Sequence, residues 1–211
     1  MKRNVNIQIT LQTTTKRMLT SLLVITTAVL ASGCGIQAIP QAKNEVDAKF
    51  ADVTNEYKRR ADLIPNLVQV VKGYATHEKD TLEGVVAARA RATQVTVDPT
   101  KMTAEKMKEY QAAQGQLSQA LGRLLMISEN YPNLKADQNF RDLQAQLEGT
   151  ENRIKVARSR YIEGIKLYNN EITVPPDSWT NSLFYHYEKL PQWDLSEAEK
   201  SQNEKAPEVK F

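Results

Sequence analysis

The chain has 211 residues, with 28 lysines and arginines against 25 aspartates and glutamates and a single cysteine. A lone thiol leaves no internal disulfide, no Cys-x-x-Cys redox pair and no multi-cysteine zinc site. Nor does a charge balance this close to neutrality carry the basic footprint of a nucleic-acid-binding domain.

Residues 1–17, MKRNVNIQITLQTTTKR, carry Lys2, Arg3, Lys16 and Arg17 and no acid. The apolar run MLTSLLVITTAVLA follows over 18–31, completing the layout of a secretory signal. It is short for a membrane span, which takes about 20 predominantly apolar residues. Leu30-Ala31-Ser32-Gly33-Cys34 then resembles the lipobox of bacterial lipoproteins, with its leucine one place further from the cysteine than is usual. The resemblance implies cleavage between Gly33 and Cys34, acylation of the Cys34 thiol and acylation of the new N-terminus. Stable anchoring takes two lipid signals, which a triacylated cysteine supplies. Elsewhere in a chain a lone cysteine reads as a small buried hydrophobe; in this position Cys34 reads as an anchor. Gly35, where an aspartate would retain a Gram-negative lipoprotein at the inner membrane, implies an outer-membrane destination. The alternative is an uncleaved signal anchor, and Met18 offers a second start that would shorten the signal. Without residues 1–33, four bases and no acid are lost, so 24 bases face 25 acids and the balance is −1.

Between residues 41 and 172 glycine and proline are scarce, and Ala, Gln, Glu, Lys, Arg and Leu dominate. These are good helix formers. Val46, Phe50, Val53, Tyr57, Ala61, Ile64, Leu67, Val71 and Tyr74 step by threes and fours, one stripe of a long helix. Pro65 removes a backbone donor from it and predicts a bend near Ala61–Ile64. Gly73 and Thr76-His77-Glu78 mark a second bend or a break, and a short continuation runs from Thr81 to about Val95 with Leu82, Val85 and Val86 inward. Asp98-Pro99 reads as an N-cap with proline at the first position of a helix or of a turn before one. The next helix spans about Thr103–Asn130, with Met107, Tyr110, Leu117, Leu121, Leu124 and Leu125 inward. Pro132 disfavours helical geometry at Tyr131 and ends it. The last long helix, about Ala136–Ile172, carries Phe140, Leu143, Leu147, Thr150, Ile154, Ala157, Tyr161, Gly164, Tyr168 and Ile172 in a coiled-coil-like heptad seam. Gly164 costs about 1 kcal/mol relative to alanine in a helix, which makes sense if a neighbouring helix approaches closely there.

No strand-like alternation interrupts this pattern. The predicted fold is all-α, an antiparallel up-and-down four-helix bundle of long helices. The organisation along the chain is a signal over 1–33, an anchor linker over 34–42, the bundle over 43–174 and an aromatic-rich segment over 175–195. A charged tail over 196–211 follows, apolar-poor and expected to be disordered. The aromatic segment holds Trp179, Phe184, Tyr185, Tyr187 and Trp193, too many for a free tail. It is expected either to fold back over the end of the bundle or to present a docking surface.

The stretches YKRRADLIPNLVQVVKGYATHEKDTL (57–82), QLSQALGRLLMISENYPNLKADQNFRDLQAQLEGTENRIKVARSRYIEGIKLYN (116–169) and the closing APEVKF resemble the LemA family of bacterial envelope proteins. The resemblance covers about residues 41–195. It implies one N-terminal anchor followed by a four-helix bundle, and no established enzymatic activity. Phe50 stands where many members have tryptophan, and LFYHYEKLPQWDL departs from the FGF-like run and KPYFE-like ending of relatives.

Candidate chemistry is sparse. His77 lies at a helix junction and His186 among aromatics, whereas a zinc or catalytic site needs several converging ligands. Hydrolase, zinc-protease and phosphate-loop motifs are missing from the sequence. Glu151 and Lys155 have the i,i+4 spacing of a surface ion pair. Arg153 and Arg158, with Lys155 and Arg160, read as a solvated helix face, or else as a patch for lipid headgroups or an acidic partner. Arg59 and Arg60 with Asp62 read as a bridge to a neighbouring helix, or as a partner contact. Trp179 and Trp193 are the remaining candidate contacts. The resulting expectation is a non-enzymatic interaction or scaffold module of the cell envelope, anchored through Cys34 and facing the periplasm. It needs no cofactor, metal, nucleic acid or small-molecule substrate, and its partner is another envelope protein. An envelope enzyme or accessory subunit with an unrecognised site is the alternative.

Overall fold

Residues 2–99 and 102–193 are described by a computed structural model, with 2–17, 19 and 22–36 described by backbone alone. The side chains of Gly33 and Cys34 and the tail 196–211 lie outside this description. The described chain is all-α. Its helices are α1 (Lys2–Tyr74), α2 (Lys79–Gln94), α3 (Ala104–Ile127), α4 (Pro132–Ala136), α5 (Gln138–Glu171) and α6 (Asp177–Thr180), with a 3-10 turn at Ser128–Asn130 and a π-helical turn at Asn181–Tyr185.

Local signals explain the boundaries. Thr103 opens α3 by accepting a hydrogen bond from the Lys106 amide, and Asp137 opens α5 by accepting from the Phe140 amide at 2.9 Å. Such caps satisfy donors that the first helical turn leaves unpaired. Tyr131, before Pro132, is driven out of helical geometry (φ −124°, ψ 84°), as its sequence position dictates.

Helices α1 and α5 share the largest contact, followed by α2 with α3 and α1 with α2. Residue numbers on α1 and α5 run in opposite directions across it: Val46 and Lys49 lie at Gly164, Arg60 pairs with Glu151, and Tyr74 bonds Asp137. A β-carbon on Gly164 would sit 3.0 Å from Lys49 Cδ and 3.5 Å from Val46 Cγ2. The close approach expected from a glycine on the seam is therefore present.

The bundle holds two apolar cores. One gathers Ile64, Leu67, Val85, Leu117, Leu124 and Leu147; the other gathers Ile39, Phe50, Val53, Tyr110, Ile154 and Tyr168. Every seam residue expected on α5 is buried, Thr150 and Gly164 included.

Three expectations are corrected, and α1 runs on as helix through Pro65. Proline lacks the N–H that would bond Ala61 four residues earlier, and Arg89 Nε of α2 donates to that Ala61 carbonyl at 2.8 Å instead. The stretch 34–42 is helix rather than linker, and Ile39 within it is fully buried. Tyr74 is exposed and Ala75 takes the inward place, because α1 ends there and the tyrosine hydroxyl reaches out to Asp137. Val86 is exposed; Leu82, Val85, Ala88 and Ala92 form the inward line, which leaves 86 about 100° from its neighbour 85.

Candidate functional site

Between the two apolar cores lies a polar layer centred on Arg60, which is 1% exposed. Its Nη1 donates to Ser118 Oγ and Glu151 Oε1, each at 2.7 Å. Nη2 donates to Gln114 Oε1 at 2.8 Å and to the Gln114 carbonyl at 3.2 Å. The guanidinium also stands 5.0 Å from the Tyr57 ring centroid, in cation–π range. Gln114 Nε2 in turn donates to the Ala92 carbonyl of α2. One continuous set of hydrogen bonds thus ties α1, α2, α3 and α5 at a single level. A buried cation is tolerated only when paired and hydrogen-bonded; here both terminal nitrogens of the arginine fork are, and the buried Nε is left without a hydrogen-bond partner among the described residues.

Of the two readings of Arg60 in the sequence, a bridge to a neighbouring helix and a partner contact, the structure bears out the bridge. Glu151 bonds Arg60, and the anticipated pairing with Lys155 is replaced by this one. Arg153 bonds Glu56 on α1 and Thr150 on its own helix. Arg158 lies 5.1 Å from the Trp193 ring centroid. Arg59 and Asp62 are exposed on the outer side of α1.

Two asparagines hold the C-terminal segment. Asn169 of α5 accepts from the Leu190 amide at 2.9 Å and donates to its carbonyl at 3.0 Å. Asn181 repeats that reciprocal pair with Tyr187. The Tyr168 hydroxyl donates to the Glu188 carbonyl, and His186 turns the chain with a left-handed φ of 55°. So held, Trp193 is buried edge-on against Tyr110 and Tyr161, at centroid distances of 6.4 and 5.8 Å. Residues 185–193 fold back over the bundle, and Trp193 is core rather than a surface contact. The preceding residues do the opposite: Trp179, Leu183 and Phe184 are 64%, 72% and 68% exposed. Neither asparagine stood out in the sequence. The signal at Asn169 was its place beside the inward Tyr168, and Asn181 carried none.

At the other end of α5, a shallow open groove of about 610 Å³ lies between α1 and α5. Its lining includes Asn66, Gln69, Tyr74, Asp137, Asp142 and Gln146. The Phe140 amide and then the Tyr74 hydroxyl hold the Asp137 carboxyl below its usual range. The same hydrogen bond to Asp137 pushes the Tyr74 hydroxyl up. General acid–base catalysis favours groups poised near the working pH, and this pair is moved away from neutrality in both directions. Near the ledge, Asp177 raises the Glu171 carboxyl through a shared hydrogen bond. Among the described residues no group of three or more His, Cys, Asp or Glu is placed to hold a metal. Nor, among them, is any helix long and apolar enough to cross a membrane.

Fold and surface together define an all-α helical-bundle protein with an internal arginine tie and an exposed aromatic ledge. The profile of the LemA family matches residues 49–211, most of the chain, and the chain belongs to that family. No curated protein matches it individually.

Proposed function

We propose that this LemA-family chain is a lipid-anchored, non-enzymatic interaction or scaffold module of the bacterial cell envelope. Cys34 is its lipidation site, Gly33–Cys34 its cleavage site, and the periplasmic side of the outer membrane its location. The observation that carries the interaction reading is the open groove between α1 and α5, lined by Asn66, Gln69 and Gln146 and by the Tyr74 hydroxyl, which donates to Asp137 at 2.9 Å. Amides and a hydroxyl in an open groove suit recognition of a polar surface on another envelope protein. The sequence around Cys34 supports the anchor. With the bundle attached at that end, α5 extends for about 51 Å at 1.5 Å per residue. The groove then faces away from the membrane, at the reach of a periplasmic partner.

A photo-reactive residue at position 69, in the groove, tests the reading in envelope preparations. Discrete crosslinked proteins are expected there, with none from position 123 on the exposed side of α3. Equal, diffuse crosslinking from both positions would count against an interaction groove.

A further inference from the structure

The exposed ledge stands at one defined end of the molecule. Across the α1–α5 interface, Arg60 meets Glu151, Arg153 meets Glu56, and Val46 and Lys49 meet Gly164. That antiparallel register sets the backbone of α1 near residue 40 level with the end of α5 at Glu171. Helix α6 begins just beyond that end and contacts α1. The ledge therefore stands at the end of the bundle from which α1 leads toward residue 34.

The ledge is apolar and outward. Trp179 and Leu183 are one turn apart, and Phe184 follows in a π-helical turn whose bonding skips five residues, as in His186 N–H to the Asn181 carbonyl at 2.8 Å. Val174, also exposed, precedes them on the same connection. The asparagine clamps on Tyr187 and Leu190 fix the segment on its C-terminal side.

Exposed tryptophan, leucine and phenylalanine gathered in one short helical segment have the composition of interfacial membrane contacts. Tryptophan in particular settles at the headgroup level, where its apolar body and polar N–H are both satisfied. We propose that Trp179, Leu183 and Phe184 lie in the headgroup region of the lipid bilayer, as a second contact beside the N-terminal anchor. This rests on the membrane-anchored reading above. It adds that the bundle is held at a fixed tilt rather than swinging on its anchor. An uncleaved signal anchor would bring the ledge to the same surface.

The chain contains two tryptophans, Trp179 and Trp193. Trp193, buried between Tyr110 and Tyr161, serves as an internal reference. The full chain, purified from envelopes with its N-terminus intact, is reconstituted in phosphatidylcholine–phosphatidylethanolamine vesicles and floated on a density gradient. Fluorescence is then compared with and without phosphatidylcholine brominated in the upper acyl chain. The proposal expects the wild-type chain to float and to lose the Trp179 share of its emission, while Trp179→Phe floats and is not quenched. Leu183→Glu with Phe184→Glu should float and lose the quenching. A chain that floats with Trp179 unquenched overturns the ledge and leaves the anchor standing. A chain that fails to float overturns both, with the anchor at fault. Trp179 emission already blue-shifted before vesicles are added, and unchanged by them, assigns the ledge to another occupant, a second copy or residues 194–211, and also overturns the proposal.

Discussion

Removing the anion of the polar layer should destabilise the bundle more than removing the cation. In Glu151→Ala, Arg60 stays buried at 1% exposure without its only carboxylate. Breaking a buried pair from one side costs about 3–5 kcal/mol, because an uncompensated charge remains. Gln114 and Ser118 still accept from Arg60, so the loss should fall near the lower end, about 3 kcal/mol. For a protein of this size that lowers the melting temperature by about 6–12 °C. In Arg60→Met the thioether chain fills most of the vacated length. Glu151, 38% exposed, turns to water, and Gln114 keeps its bond to the Ala92 carbonyl. Replacing a buried ion pair by apolar volume is often near neutral, but the buried Gln114 Oε1 loses its donor, so the expected cost is about 1–2 kcal/mol. The double variant should be no less stable than Arg60→Met alone. Urea unfolding followed by far-UV circular dichroism measures all three. An Arg60→Met variant less stable than Glu151→Ala, or a Glu151→Ala variant within about 0.5 kcal/mol of wild type as for a surface site, would refute the reasoning.

Arg89→Ala leaves the Ala61 carbonyl without its donor and should cost about 1.5–3 kcal/mol, the range for a hydrogen bond to a charged group. With Pro65→Ala in the background, a backbone N–H becomes available and the cost of Arg89→Ala should shrink; equal costs in both backgrounds would contradict the pairing. Gly164→Ala should be close to neutral in urea unfolding, since a helix gain of about 1 kcal/mol offsets a displaced Lys49 side chain. Gly164→Leu should lose about 1–3 kcal/mol by overpacking, and a tolerated leucine would show the helices are not close. Burial raises the hydroxyls of Tyr110 and Tyr161 strongly and that of Tyr168 to about 12. The folded state keeps those protons where the unfolded chain loses them, so this contribution is intact below the unfolded value of 10.0 and is lost as pH rises through the folded values. In an ultraviolet titration at least Tyr110, Tyr161 and Tyr168 of the eight tyrosines should stay silent above that unfolded value until the protein unfolds. Titration of all eight in one step while the helical signal persists would place these rings outside the core.

The inward faces were legible because they depend on spacing within one helix, as the fully buried seam from Phe140 to Ile172 shows. Pro65 was legible as a lost donor, but its replacement by Arg89 was not, since that donor arrives from another helix. Arg60 stands beside Lys58 and Arg59 in a basic run that reads as a bridge to a neighbouring helix or as a partner contact, without naming its partners. Only the three-dimensional meeting with Gln114, Ser118 and Glu151 turns it inward. Likewise, five aromatics after a double proline announced a contact without saying which. The division of that segment into a buried Trp193 and an exposed Trp179 depends on two asparagine clamps between residues 6 and 21 positions apart.

The anchor is the claim on which location and orientation both depend. It is tested most directly by mass spectrometry of the N-terminus of the protein isolated from envelopes, after labelling with palmitate. The account predicts a chain that begins at Cys34, carries acyl groups and incorporates label, with label and cleavage both lost in Cys34→Ala. An unlabelled wild-type chain that retains residues upstream of Cys34 would contradict it.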